Sequence, residues 1–327
     1  MPAQINHLDA SLDVVGIGNA IVDVIATAEE AFLEHHRMTK GSMMLIDEER
    51  AEHIYDAMGP GTVSSGGSAS NTVAWIAEMG GAAGYIGKVR DDELGHAFRR
   101  DITETGAVFR SLPATTGPST ARCLILVTPD SQRTMNTFLG ACVNLTVADI
   151  DTDLIQSAHV THLEGYLYDE PHCKEAFHAA AAIAHAAGRR VSLSLSDQFC
   201  VDRHHSDFLR LVDHHVDILI ANRAEIQALF KTATIDGAIQ QLRSLTELAV
   251  VTLDAEGSLI VSHDAVTEIK PVPATVVDTT GAGDAYAAGF LYGLTRGRPL
   301  KECGDIASAA AGEVISHVGA RRQVQKR

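Results

Sequence analysis

Apolar positions along this chain fall into short unbroken runs separated by longer stretches in which they recur every three or four residues. The runs at 13–18, 83–87, 159–163, 190–195, 217–220 and 248–253 predict buried strands, and the periodic stretches at 68–80, 93–105, 172–187 and 235–245 predict helices. Strands that alternate with helices at this spacing pair in parallel, because each return needs a crossover, and both faces of the sheet are then covered. The pattern predicts a doubly wound α/β fold with a mostly parallel sheet.

Two regions break the alternation. At 20–46 and 115–138 the strand-like segments 21–26, 42–46, 121–128 and 133–138 follow one another without an intervening helix. Between the last two, Thr128-Pro129-Asp130-Ser131 is a turn signal, with proline preset for the second position. These insertions predict a small β-sheet lid at 20–46 and 115–138 over a core made of 1–19, 47–114 and 139–327, the alternative being two ordinary surface hairpins. No internal repeat, low-complexity tract or linker interrupts the chain.

Composition narrows the partners. The 327 residues are 46% hydrophobic, enough for a sizeable core, and carry a net charge of −16. Such a field repels nucleic acid and anionic membranes but does not forbid a nucleotide pocket, where a few amides and a metal ion act locally. The five cysteines are odd in number and form no C-x-x-C, which fits reduced thiols. The opening MPAQINHLDASLDVV has no leader character, and no apolar run approaches a membrane span of roughly 20 residues. A cytoplasmic location is expected.

The chemistry concentrates in Val277-Asp278-Thr279-Thr280-Gly281-Ala282-Gly283-Asp284. A β-prone run, 274–277, meets two threonines able to cap, and Gly281, Ala282 and Gly283 then open a long apolar helix. Free amides and the positive end of the helix dipole make an anion hole there. Asp284, in the first turn, would repel phosphate unless it served another purpose, and accepting the proton of an attacking hydroxyl is such a purpose. The plain alternative is a carboxylate that stabilises a helix start.

This string resembles the C-terminal signature D-T-x-G-A-G-D of the ribokinase (PfkB-type) superfamily of carbohydrate and nucleoside kinases. The resemblance extends to Gly66-Gly67-Ser68-Ala69-Ser70-Asn71 and to Asn222-Arg223-Ala224-Glu225, similar to the family's N-x-x-E. It implies ATP as donor, Gly281 to Gly283 as anion hole, Asp284 as catalytic base, and Glu225 with Asn222 organising the water shell of Mg²⁺. It also implies a monovalent-cation site, K⁺ in kind, near Asp278. On the residues alone, Asn222 and Glu225 read equally as N-cap and N3 of a capping box.

For the acceptor, Gly16-Ile17-Gly18-Asn19-Ala20-Ile21-Val22-Asp23 places Asn19 and Asp23 in apolar surroundings, where an amide and a carboxylate suit vicinal hydroxyls. The G-x-G lacks the third glycine and helix of a dinucleotide fingerprint. The pattern is similar to the adenosine kinase branch, which implies that Asn19, Asp23, Gly67, Ser68 and Asn71 line a ribose pocket, with Ser68 a natural N-cap. Arg133, in the lid, resembles a position that approaches the transferred phosphate, the alternative being a solvated strand arginine.

On the donor side, Thr252, Asp254 and Gly257 resemble the family's T-x-G-x-x-G loop beside the nucleotide, where Thr280 is also expected. Asp254 replaces a glycine, and a carboxylate beside polyphosphate weakens that contact unless solvated. His204-His205 and His214-His215 lack metal-ligand spacing and read as solvated surface. Three functions remain: a purine nucleoside kinase, a sugar kinase for ribose, fructose or a keto-deoxy sugar acid, and a nucleoside-binding sensor without catalysis. An exposed lid sheet also offers an edge for a homodimer.

Overall fold

In the computed structural model, which describes residues 10–130 and 132–321, strand β1 (Leu12–Ile17) lies inside a nine-stranded sheet. The chain then leaves that sheet for β2 (Ile21–Thr27), α1 (Glu30–His35), β3 (Met43–Leu45), α2 (Glu48–Ala57) and β4 (Thr62–Gly66). It returns through α3 (Ser68–Glu78), β5 (Ala83–Ile86), α4 (Glu93–Glu104) and β6 (Val108–Phe109), and departs again for β7 (Ala121–Val127) and β8 (Arg133–Phe138). Next come α5 (Thr152–Gln156), β9 (Ala158–Glu164), α6 (Pro171–Ala186), β10 (Arg190–Ser194), α7 (Gln198–Arg203), α8 (His205–His215) and β11 (Ile218–Asn222). The remainder is α9 (Arg223–Phe230), α10 (Ile235–Leu245), β12 (Leu248–Thr252), β13 (Ser258–Ser262), β14 (Val266–Ile269), α11 (Ala282–Thr295) and α12 (Leu300–Val314).

The large sheet has the order β14-β13-β12-β11-β10-β9-β1-β5-β6 and is parallel from β12 to β6, with β13 and β14 antiparallel at one edge. Successive residues of β1 feed opposite cores: Val14 belongs to the core that includes α3, α11 and α12, and Val15 to the core that includes α6 and α8. From β1 the chain proceeds to β5 on one side, while β9 continues through β10 to β12 on the other. Helices leave β1 and β9 toward different faces, so a crevice opens beyond their carboxyl ends, where α/β sheets bind ligands.

The second sheet is five-stranded, in the order β3-β8-β7-β2-β4. Its β2 alternates cleanly, with Val22, Val24 and Ala26 buried and Asp23 on the other face.

The predicted strands and helices are present, with ends shifted by a residue or two, and four features depart from expectation. Strand β4 joins the small sheet although 47–114 was assigned to the core; its sequence Thr-Val-Ser-Ser-Gly has no apolar run to announce an edge strand. A one-and-a-half-turn helix, α1, separates β2 from β3, burying only Leu33. Residues 274–277 are not a strand: Pro271 and Pro273 remove donors just before them, and Val276 and Val277 are exposed. The strand pairs β13 and β14, unmarked in the sequence, close the sheet edge by a hairpin.

Ser131 of the predicted turn lies outside the described residues, but around it Thr128 N–H donates to Gln132 O at 3.0 Å. Residues 1–9 of the N-terminal segment are likewise outside. All five cysteines are buried thiols. No helix among the described residues is long and apolar enough to cross a membrane.

Candidate active site

Helix α11 begins at Gly281, whose backbone is left-handed at φ +78° and whose missing side chain would collide with Ala320 Cβ at 2.6 Å. Gly281 is the N-cap, and neither threonine caps the helix; Thr280 instead turns its hydroxyl to Asp278. Ala282 N–H donates to Thr279 O at 3.2 Å, and the first bond within the helix runs from Ala285 N–H to Gly281 O at 2.9 Å. The amides of Gly283 and Asp284 donate to no carbonyl of the described residues, and a side chain at Gly283 would meet nothing within 4 Å. A bare helix N-terminus therefore faces open space.

Asp284 stands at that opening. Its carboxylate accepts from Ser68 Oγ at 2.6 Å and from Asn71 Nδ2 at 2.9 Å, and its carbonyl accepts from Thr72 Oγ1. Burial pushes the carboxyl above its ordinary value, while these two donors and Arg321 act against the rise. Ser68 is thus not an N-cap: Gly67 holds that position, at φ +92°, and the serine hydroxyl is spent on Asp284. Gly67 is obligatory, since a Cβ would lie 2.1 Å from Asn19 O.

Across the crevice, buried Asn19 donates from Nδ2 and, more distantly, from its backbone N–H to Glu164 Oε1 at 3.0 and 3.3 Å, leaving its own Oδ1 without a partner. Glu164, at the end of β9, also accepts Ala69 N–H at 2.8 Å and so binds the start of α3 to the end of β1. It is 1% exposed, and burial raises its pKa to about 7 against those three hydrogen bonds. Glu164 was missed in the sequence; the signal was an acidic residue ending an apolar strand. Asp23, on β2, faces Gly66 so closely that a Cβ there would touch its carboxylate, and burial lifts it to about 6.

Arg133 is not a solvated strand residue. From β8 it pairs with Asp278 at 2.7 Å and donates to Thr280 Oγ1 at 3.1 Å, while its Nη2 has no partner. Burial works against charge on Asp278, but Gly319 and Thr280 amides, the Thr280 hydroxyl and Arg133 outweigh it and hold the carboxyl below its ordinary value. Arg133 supplies at Asp278 the positive charge that a monovalent cation would bring. A second arginine, Arg321, reaches the same pocket with no motif to announce it.

The donor-side residues sit at the carboxyl ends of β11 and β12. Asn222 and Glu225 form a complete capping box: Asn222 Oδ1 accepts Glu225 N–H at 2.9 Å, and Glu225 returns the contact to Asn222 N–H at 2.9 Å. Burial, with Asp197 adding to it, raises Glu225 to about 7. Desolvation, and then the carboxylates of Asp197, Asp284, Glu225 and Glu164, push the partly exposed Tyr166 hydroxyl well up. No group of three metal-binding side chains occurs among the described residues. The residues therefore fit Mg²⁺ only where phosphate oxygens and water supply most ligands, with Glu225 outside them.

Thr252 ends β12 opposite Asn222. Asp254 is exposed and takes a left-handed φ of +51°, the backbone a glycine would take there and one that aspartate tolerates. Its carboxylate is solvated. Gly257, at φ +95°, admits no side chain, since a Cβ would lie 2.1 Å from Ile269 O. The histidine pair at 204–205 is not a solvated surface: His204 binds Asp169 at 2.5 Å and His205 binds Leu229 O at 2.9 Å.

A ribokinase-like sheet, an amide-lined helix start and a carboxylate in its first turn define a small-molecule phosphotransferase with an alcohol group as acceptor. The chain matches the family of pfkB carbohydrate kinases over residues 12–327, and it belongs to that family. Within it the chain resembles the adenosine kinase-like branch. It is 49% identical to the adenosine kinase from Sinorhizobium meliloti, with a TM-score of 0.88, over 96% of this chain and 97% of the other. It is 44% identical to a probable sugar kinase from Rhizobium etli CFN 42, also at a TM-score of 0.88, over 96% of each chain. Against the adenosine kinase of Saccharomyces cerevisiae the identity is 26% over 94% of this chain and 95% of that protein.

Proposed function

We propose that this enzyme transfers the γ-phosphoryl group of ATP to a primary hydroxyl of a ribose-containing acceptor, with adenosine or a related purine nucleoside preferred. The observation that carries the reading is the Asp284 carboxylate, held by Ser68 and Asn71 at a helix start whose Gly283 and Asp284 amides donate to no carbonyl of the described residues. Asp284 takes the proton of the acceptor hydroxyl as its oxygen attacks phosphorus. Of the Gly281, Ala282 and Gly283 amides expected as anion hole, that of Ala282 is spent on Thr279 O, and those of Gly281 and Gly283 receive the charge that builds on the transferring group.

Asp23 and the free Oδ1 of Asn19 accept the ribose hydroxyls, with Gly67 letting backbone approach the sugar. The unpartnered Nη2 of Arg133 is available to a phosphoryl oxygen, and the small sheet that carries it screens the site from water. Thr252, Gly257, Asn222 and Thr280 border the nucleotide. Mg²⁺, when bound with ATP, neutralises phosphate charge, and Glu225 orders water around it.

A panel of nucleosides and sugars in a coupled ADP-release assay tests this reading. Adenosine is expected to exceed ribose and fructose by at least about tenfold in kcat/KM, roughly the discrimination one unpaired polar contact supplies. A sugar as the better acceptor overturns the nucleoside assignment, and tight adenosine binding without ADP formation overturns catalysis altogether.

A further inference from the structure

Arg321 lies in the last described segment of the chain, yet its guanidinium is inserted beside the catalytic carboxylate. It donates from Nε to Asn71 Oδ1 at 3.1 Å, from Nη2 to Ser70 Oγ at 2.8 Å, and from Nη1 to Asp101 Oδ2 at 3.3 Å and to Ser65 Oγ. The segment that delivers it is fastened next to the anion hole. Trp75 Nε1 donates to Ala320 O at 2.9 Å, and Ala320 is the residue packed on Gly281.

A guanidinium offers only donors. The Asn71 carboxamide must therefore turn its oxygen to Arg321, which leaves its NH₂ directed at Asp284 Oδ2. Without the guanidinium, the flipped amide would place an oxygen against the carboxylate. Four charged or titratable groups from separate elements each interact with Asp23: Arg321 from the C-terminal segment, Arg133 from β8, Asp284 from α11 and Cys123 from β7. Among the charges, Arg321 is the largest influence holding the Asp23 carboxyl down against burial.

We infer that Arg321 is a positioning residue for phosphoryl transfer, fixing the Asn71 amide toward Asp284 and adding its charge to that of Arg133 on the Asp23 side of the pocket. The kinetic part of its test rests on the kinase reading; the spectroscopic part does not. Burial lifts the Asp23 carboxyl to about 6 against Arg321 and Arg133, and loss of Arg321 moves it further up. Acceptor binding that needs ionised Asp23 fails as pH falls through this value, so the failure begins at a higher pH in the variant.

The experiment compares the full chain with Arg321→Gln and Arg321→Lys. In Arg321→Gln, the acid limb of kcat/KM for the acceptor is expected to move up by about one pH unit, and kcat at the alkaline plateau to fall about tenfold or more. Arg321→Lys is expected to restore the acid limb, because the charge remains, but not kcat, because one ammonium cannot span the Asn71, Ser70 and Asp101 oxygens. Carbon-13 NMR follows the Asp23 carboxyl in each protein, with Asp23→Asn identifying the resonance, and its midpoint is expected to rise in Arg321→Gln alone. An unchanged midpoint in folded Arg321→Gln, or kinetic losses that only track the folded fraction on thermal unfolding, overturns the inference. Should the wild type phosphorylate no acceptor, the function fails while the NMR midpoints still decide the role of Arg321.

Discussion

Arg133, carried on the small sheet, lies 2.7 Å from Asp278, on the segment that leads into the Gly281 turn. Both side chains are largely buried, at 14% and 9% exposure, so the pair ties the small sheet to the large layer where water screens little. Removing one partner strands the other charge. Arg133→Met is expected to cost up to about 3 kcal/mol of stability and to lower kcat by at least about tenfold. A double-mutant cycle with Asp278→Asn reads the link directly: a coupling of about 1 kcal/mol or more is expected, and additive effects would show that the pair does not hold the sheets together.

Asp284→Asn keeps the shape of the side chain and removes its basicity. Nucleotide affinity is expected to stay near wild type while kcat falls by at least about 10²-fold, measured by ADP release and by ATP titration calorimetry. Turnover at the wild-type rate would take Asp284 out of the reaction.

The two glycines of the turn are predicted to fail in different ways. Gly281→Ala meets both a left-handed φ of +78° and Ala320 at 2.6 Å, and is expected to lose about 2 kcal/mol or more of stability. Gly283→Ala meets no atom within 4 Å, so its melting temperature is expected to hold or rise, since alanine is the better helix former. Its methyl group nevertheless stands on the open face of the helix start, and activity is expected to drop at least about tenfold. Paired melting and turnover measurements separate the two.

Glu164 makes stability depend on pH. Its folded pKa of about 7 lies above the ordinary 4.5, so between these values the folded protein binds more protons than the unfolded chain. The stabilisation is complete below about pH 4.5 and is lost as pH rises through about 7. Glu225, at about 7, and Asp23, at about 6, act in the same sense. The wild-type melting temperature is therefore expected to fall between pH 5 and 8, and Glu164→Gln to flatten that fall by roughly 3 °C or more. An equal slope in both proteins would show that Glu164 does not titrate in this window.

Local pattern was enough for much of this protein. The parallel core was legible because buried strands and amphipathic helices each carry their own period, as in the run at 159–163 and the stretch at 235–245. The candidate site at 278–284 stood out because an anion site at a helix start needs glycines and a carboxylate within a few consecutive residues. What lay beyond sequence was long-range pairing: β4 is an edge strand through its register with β2, and Glu164 meets Asn19 across 145 residues. Arg321 meets Asn71 across 250 residues, and Thr280 spends its hydroxyl on Asp278 rather than on a helix cap. Such partners depend on which strand ends and tails converge at one crevice, and a free energy set by distance and desolvation exists only once the chain has folded.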